Sequence, residues 1–193
     1  MAEIATTDLK GCANDTITLK ANASSSNVTY EWSATAPLLS TTGSSVQIVP
    51  ANSIGSETIP HTITLKVTDN TTGCTSTTTT DMTAFRLPEI TLGDDIELCD
   101  GSSVELEPLI KYAYKGTYTT KWFLDTLQLS STNVIDPIYT QSGTDVYNIG
   151  IEITDGNGCK SVDKLDIKGL ELPKANAGED RVEDCGQFCW FPL

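Results

Sequence analysis

Alternation of apolar and polar residues is the dominant pattern along this chain. Two of the alternating runs place on one face Ile63, Leu65 and Val67, and Tyr147, Ile149, Ile151 and Ile153. A period of two is typical of a β-strand with one buried face. Gly, Asn, Ser and Pro separate the runs, and no segment has a convincing helical stripe. The pattern predicts an all-β chain of small antiparallel β-sandwiches.

The chain repeats itself. The phrase TLKVTDNTTGCTS at 64–76 returns as GIEITDGNGCKS at 150–161. Landmarks recur in one order at intervals of 85 to 90 residues: Cys12, Cys99 and Cys185; Trp32 and Trp122; Asp69 and Asp155; Cys74 and Cys159; Leu87-Pro88 and Leu172-Pro173. A fixed period indicates repeated structural units. We predict two tandem Ig-like β-sandwich domains, residues 1–87 (the first unit) and 88–172 (the second unit). Residues 173–193 are then the start of a truncated third repeat, or a linker with an atypical tail.

Each unit has one cysteine before its first clear strand and one after its Thr-Asp turn. These are Cys12 and Cys74 in the first unit and Cys99 and Cys159 in the second. On the premise that each repeat satisfies its own cysteines, we predict intradomain disulfides Cys12–Cys74 and Cys99–Cys159. On the chain-entropy model, a closed loop of roughly 60 residues stabilises each domain by about 4 kcal/mol. Metal ligation is the alternative, although neither unit has a Cys-x-x-Cys spacing.

Composition points to a compartment and argues against several partners. Six cysteines favour an oxidising environment. A net charge of −14 argues against nucleic acid or an anionic membrane as a partner, because phosphate binding needs basic surface. No stretch approaches the roughly 20 apolar residues of a membrane span, so we predict no membrane insertion. In the atypical ending CGQFCWFPL, Cys185 either pairs with Cys189 or stays free.

The motifs of the two units resemble a known class of repeat. A cysteine and a short apolar strand are followed by YEW or TKW, then by VTDNTTGC or ITDGNGC, and PKANAGED opens the third copy. This series is similar to the PKD-like and Ig-like repeats of large secreted surface proteins of Bacteroidetes, including gliding-motility adhesins exported by the type IX system. The resemblance implies a β-sandwich stalk or ligand-presenting module, usually without catalysis, on the extracellular cell surface. YEW and TKW differ, so this motif is not strict.

Calcium is the one cofactor that the acidic residues suggest. The segment GDDIELCDGSSVELE gathers carboxylates close to the predicted junction, and Ca²⁺ takes six to eight oxygen ligands. The candidates are Asp94, Asp95, Asp100 and Asp155. The alternative for the cluster is a solvated strand face. For Asp155, as for Asp69, the alternative is an Asx turn in which the carboxylate accepts backbone N–H groups.

Candidates for ligand binding are three tyrosines in KYAYKGTY, Tyr112, Tyr114 and Tyr118, which could form an aromatic platform for a glycan or protein. Packing at a sheet edge is the alternative. His61 has no counterpart in the second unit, and the sequence places no Ser or Cys nucleophile to use it. We therefore predict no catalytic residue.

Two functions follow from these patterns. The first is a non-catalytic segment of a large bacterial cell-surface adhesin, which acts as a stalk or spacer and contributes to surface adhesion in gliding motility. The alternative is a carbohydrate- or protein-binding β-sandwich module of a secreted hydrolase. The expected partners are neighbouring repeats of the same chain and a surface glycan or protein ligand.

Overall fold

The strands that the alternation predicts are present. A computed structural model describes residues 1–125, 127–130 and 137–178, with the backbone alone for 127–130. The first unit has seven strands: β1 Ala2–Ile4, β2 Lys10–Cys12, β3 Ile17–Ala23, β4 Val28–Ala34, β5 Ser45–Ile48, β6 Thr58–Asp69 and β7 Thr75–Phe85. The described part of the second unit has nine: β8 Glu89–Thr91, β9 Ile96–Cys99, β10 Ser103–Glu105, β11 Leu109–Tyr112, β12 Tyr118–Leu124, β13 Leu127–Ser130, β14 Ile138–Thr140, β15 Val146–Asp155 and β16 Lys160–Leu170. One turn of 3-10 helix at Tyr114–Gly116 is the only helical element among the described residues.

Two sheets of the first unit enclose one hydrophobic core. One sheet has the order β2-β7-β6-β4 and the other β1-β3-β5. Ile63, Leu65 and Val67 of β6 face inward and are at most 5 % exposed. They pack with Trp32 of the neighbouring strand β4 and with Leu19 of β3 in the facing sheet. Buried and exposed side chains therefore alternate along β6 with the period of two that the sequence shows.

The second unit has its own core under a five-stranded sheet of order β13-β12-β15-β16-β9. The pairs β10-β14 and β11-β8 complete the unit. Trp122, Ile149 and Ile151 are buried in this core. The prediction of an all-β, antiparallel fold is confirmed. The division into two domains, 1–87 and 88–172, followed by the segment 173–193, stays a prediction. Cys185 and Cys189 lie outside the described residues.

The second strand of each unit runs parallel to the last strand of that unit. β2 pairs with β7 so that Cys12 lies beside Phe85, and β9 pairs with β16 so that Cys99 lies beside Leu170. The cysteine that opens a unit is therefore at the end where the chain leaves it. We call this the exit end, and it is marked by Cys12 and Phe85 in the first unit and by Cys99 and Leu170 in the second.

The opposite end of each unit carries the Thr-Asp turn, and we call it the turn end (residues 69–74 and 155–159). Asp69 Oδ1 accepts hydrogen bonds from the backbone N–H groups of Thr71 and Thr72, at 2.8 and 3.0 Å. These two hydrogen bonds lower the pKa of Asp69. Asp155 Oδ1 accepts from the N–H groups of Asn157 and Cys159, at 2.9 and 3.0 Å. The Asx-turn interpretation is confirmed for both residues.

No helix in the described part of the chain has the length and hydropathy that a membrane crossing requires.

Candidate functional site

A disulfide joins the two units. It links Cys12 at the exit end of the first unit to Cys159 at the turn end of the second, across a sequence separation of 147 residues. The two Cα atoms are 5.5 Å apart, and Cys159 is completely buried. This bond ties the junction between the units covalently, and we take the junction as the candidate functional site.

The predicted pairing of Cys12 with Cys74 is wrong. Cys12 lies beside Phe85, the last residue of β7, whereas Cys74 directly precedes the first residue of that strand. The eleven residues of β7 extend over about 36 Å at ~3.3 Å per residue. A disulfide needs Cα atoms within about 7 Å, so the folded first unit keeps its two cysteines apart.

The predicted pairing of Cys99 with Cys159 is wrong for the same reason. Cys99 lies beside Leu170 at the end of β16, and Cys159 directly precedes the first residue of β16. Cys74 and Cys99 are free thiols; Cys74 is exposed and Cys99 is half-buried.

Aromatic and charged side chains of the two units also contact each other across the junction. Arg86 lies over the ring of Tyr112, with its Cζ 4.1 Å from the ring centroid, and the rings of Phe85 and Tyr114 are 6.1 Å apart. The same guanidinium pairs through Nη2 with Oε1 of Glu89. The Arg86 side chain is only 11 % exposed, so its contact with Tyr112 is largely shielded from water.

Burial also affects the Tyr112 hydroxyl. It is buried and has no hydrogen-bond partner in the structure. Burial raises the pKa of Tyr112 above its usual value, and the carboxylate of Glu57 in the first unit raises it further. Tyr112 therefore responds to a charge from the other side of the junction.

The Leu87-Pro88 linker is attached to both units. The Leu87 N–H donates to Asn52 Oδ1 of the first unit at 3.1 Å. The Pro88 carbonyl accepts a hydrogen bond from Ser161 Oγ of the second unit at 2.6 Å. Proline also restricts its own backbone and that of the residue before it. The linker therefore has few ways to swing while the hydrogen bonds hold.

The three predicted ligand-binding tyrosines do not form a free platform. All three are half-buried. Tyr112 and Tyr114 contact Arg86 and Phe85 of the first unit, and Tyr118 lies in β12 opposite Asp155. This agrees with the alternative, packing at an edge, at an edge that the first unit covers.

The four predicted calcium ligands do not converge on one site. Asp95 Oδ1 accepts a hydrogen bond from the Asp166 N–H, and Asp100 Oδ1 accepts one from the Gly143 N–H. Asp94 is exposed in the loop before β9. Asp155 is at the turn end, the length of β16 away from Asp100 at the exit end. Among the described residues, no group of three or more His, Cys, Asp or Glu is arranged to hold a metal ion.

His61 is buried in β6 and is 9 % exposed. Its Nδ1 is 3.3 Å from Thr35 Oγ1, and Nε2 is buried without a hydrogen-bond partner in the structure. Burial lowers the pKa of His61.

The residues that the sequence analysis missed are the junction residues of the first unit, Phe85, Arg86 and Glu57. One signal was available in the sequence. Phe85 and Arg86 directly precede the Leu-Pro landmark that repeats at 172–173, and residues beside a short linker between repeats are the ones that a neighbouring repeat can contact.

Comparisons with known proteins give a distant likeness. No family model matches the chain, and no curated protein sequence matches it. Among solved structures, the C-terminal 282-residue fragment of intimin, in complex with the intimin-binding domain of the translocated intimin receptor, has a TM-score of 0.41 at 13 % identity, over 86 % of this chain and 62 % of that one. The fibronectin(III)-like modules of Clostridium thermocellum CbhA give 0.36 at 12 % identity, over 93 % and 100 %. The N-terminal domains of the bacteriophage RB49 outer capsid protein Hoc give 0.37 at 16 % identity, over 87 % and 58 %. TM-scores of this size carry no argument about function.

Proposed function

We propose that this chain is a non-catalytic, extracellular spacer segment of a bacterial cell-surface adhesin. In this proposal residues 1–87 and 88–172 are successive β-sandwich domains and residue 173 begins a third. The observation that carries the proposal is the disulfide between Cys12 and Cys159, together with the short linker that both units hold by hydrogen bonds. A bond placed between repeats constrains their arrangement, which is what a spacer requires.

Composition supports an extracellular location. A structural disulfide persists in oxidising compartments and is rare in the cytosol. The motif resemblance supports the finer proposal of an adhesin of the Bacteroidetes gliding-motility type, exported by the type IX system.

The position of the disulfide suits a segment under tension. Tension applied to the chain on the N-terminal side of Cys12 is transmitted to Cys159 through the disulfide. Residues 13–158 therefore do not bear it. The bond spans 147 residues and so withholds on the order of 500 Å of extended chain. A spacer built in this way keeps its length even where the hydrogen bonds of its sheets yield.

Single-molecule extension of the full chain from its two termini tests this role. We expect the oxidised chain to release only the segments outside the Cys12–Cys159 loop. The double variant C12S/C159S should release about 500 Å more. The matched control C74S/C99S removes two cysteines outside this bond and should extend like the parent chain. Equal extension of the parent and of C12S/C159S would contradict the spacer proposal.

A cleft beside the junction favours a second candidate, binding of a glycan or protein by this segment as a module of a secreted hydrolase. The cleft measures about 380 Å³, and its lining includes Tyr112, Tyr118, Glu57 and Lys111. Screening the full chain on a glycan array tests this candidate. Binding that Y118A abolishes would support the module, and a chain that binds no glycan would leave the spacer role.

A further inference from the structure

The two turn ends differ in the state of their cysteines. Cys159 at the turn end of the second unit is bonded and completely buried, because the exit end of the first unit covers it. Cys74 has the same position at the turn end of the first unit, directly before β7, and it is exposed and free. The same backbone hydrogen bond closes both turns: the Asp69 N–H donates to the Cys74 carbonyl as the Asp155 N–H donates to that of Cys159, each at 2.9 Å. Cys74 therefore has the same position in its hairpin as the bonded Cys159, but its thiol is free.

The surface around Cys74 is concave. A depression of about 270 Å³ lies there, and its lining includes Ser24, Val28, Thr72 and Cys74 itself. The walls combine apolar and hydroxyl side chains with the carboxylate of Asp69, and they include no Lys, Arg or His. The thiol thus opens into a hollow that another protein surface could fill.

The two exit ends are also alike. Cys12 lies beside Phe85 and Cys99 lies beside Leu170, in the same parallel register. An ion pair spaced i,i+3 brackets the Leu-Pro landmark at both ends. It joins Arg86 to Glu89 in the first unit, and in the second unit it joins Glu171 to Lys174, at 3.3 Å, with the two charges exchanged. The second unit therefore presents its exit cysteine, Cys99, beside a linker of the same design.

We infer that Cys74 and Cys99 each form a disulfide of the Cys12–Cys159 type with a neighbouring repeat. Cys99 takes the turn cysteine of a following repeat, and Cys74 takes the exit cysteine of a preceding repeat. The partner on each side is a repeat of the same type. Successive bonds then overlap, because each one begins inside the loop that the previous one closes. The identity of the partner rests on the proposed function as a repeat segment.

The bond forms by thiol–disulfide exchange with a small disulfide oxidant such as oxidised glutathione. The Cys99 thiolate attacks that disulfide, forms a mixed disulfide and releases one glutathione thiolate. The turn-cysteine thiolate of the neighbouring repeat then attacks the Cys99 sulfur of the mixed disulfide and releases the second glutathione thiolate. Two thiols are oxidised, one glutathione disulfide is reduced to two thiols, and two protons are transferred.

A tandem chain tests the inference directly. Residues 1–172 are followed by a complete second copy, so that Met1 of that copy takes the place of Pro173. Eleven positions separate Met1 from Cys12, as they separate Pro88 from Cys99, so the repeat register is kept. C185S and C189S remove the other thiols. After oxidation in glutathione buffer, peptide mapping should find Cys99 of the first copy bonded to Cys74 of the second, with Cys12–Cys159 formed in each copy. The tandem chain should then have two free thiols, like the single chain.

A matched variant carries C99S in the first copy only. It should lose the new bond, leave Cys74 of the second copy reactive to maleimide and keep both Cys12–Cys159 bonds. If both Cys12–Cys159 bonds form in the tandem chain while Cys99 of the first copy and Cys74 of the second stay reduced, the inference is overturned. The spacer proposal is judged separately by the extension measurement.

Mixing two single chains provides a second measurement that needs no fusion. On the C185S/C189S background, a C74S chain offers only Cys99 and a C99S chain offers only Cys74 as an additional thiol. In an equimolar mixture we expect the Cys99–Cys74 heterodimer to exceed its share under random pairing, in which it is twice as abundant as each homodimer. Dimers in the proportions of random pairing would count against complementary ends.

Discussion

At the scale of single residues, His61 has a buried ring nitrogen without a hydrogen-bond partner. Its imidazole is buried in β6 with Nε2 unpartnered, so a second proton on the ring would have no acceptor and little water. This burial lowers the pKa of His61 below its ordinary value of 6.5. Between the folded pKa and 6.5, the unfolded chain binds more protons than the folded chain. The contribution of His61 to stability is therefore complete above pH 6.5 and is lost as the pH falls toward the folded pKa.

We predict that H61Q removes this pH dependence. In the parent chain, the urea midpoint of unfolding should fall as the pH drops below about 6.5. In H61Q it should be flat across the same window, because no group titrates at position 61. Asp69 does not confuse the result: its lowered pKa affects stability only as the pH falls below its ordinary value of 3.8. Equal slopes in the two chains between pH 6.5 and 5 would contradict the prediction.

At the scale of strands, the sequence identified the elements and their buried faces. Ile149, Ile151 and Ile153 of β15 are buried as predicted, like the alternating residues of β6 from Ile63 onward, whereas Tyr147 is half-buried. Trp32 and Trp122 also occupy buried positions in equivalent strands. Strand direction was not available from that pattern. An antiparallel opening strand would bring Cys12 to Cys74, whereas the parallel pairing of β2 with β7 sends the two cysteines to opposite ends.

Strand packing leaves less room for a side chain at Gly169 than at Gly150. A Cβ at Gly169 in β16 would lie 2.1 Å from the Gly143 carbonyl oxygen, which is backbone. A Cβ at Gly150 in β15 would first meet Lys164 Cγ at 3.4 Å, on a flexible side chain. Gly169 therefore allows a loop to lie against the exit end of the second unit.

We predict that G169A destabilises the chain by about 2 kcal/mol, since the loop at 143–144 must move to admit the methyl group. G150A is the matched control in the same sheet and should change the free energy of unfolding by less than about 1 kcal/mol. Chemical denaturation of both variants measures the difference. A G169A chain as stable as the parent would show that the loop yields without cost.

At the scale of the whole molecule, the covalent bond and the weaker junction contacts restrain the same movement. The disulfide fixes one point of the junction, and Arg86 over Tyr112 and Phe85 beside Tyr114 add contacts around it. A shielded cation–π contact contributes about 1–2 kcal/mol, far less than a covalent bond. The side-chain contacts should therefore matter most once the bond is absent.

We predict that R86A has little effect on the arrangement of the units while the disulfide is intact. In C12S/C159S the same substitution should broaden the distribution of inter-unit distances measured by small-angle X-ray scattering. K66A removes an exposed ion pair within the first unit, to Glu31, and serves as the control, with no effect in either background. An equal broadening by R86A with and without the disulfide would contradict this ranking of the contacts.

The parallel pairing of β2 with β7 also affects the order of events as the chain is synthesised and folds. Cys74 follows Cys12 by far fewer residues than Cys159 does, so it is the first candidate partner to emerge. Early folding of β7 carries that candidate about 36 Å away, before slow oxidation can trap it. Cys12 then waits as a thiol until its distant partner arrives. Maturation is therefore directional, and Cys12 of the first unit is sealed only after the turn end of the second unit has folded.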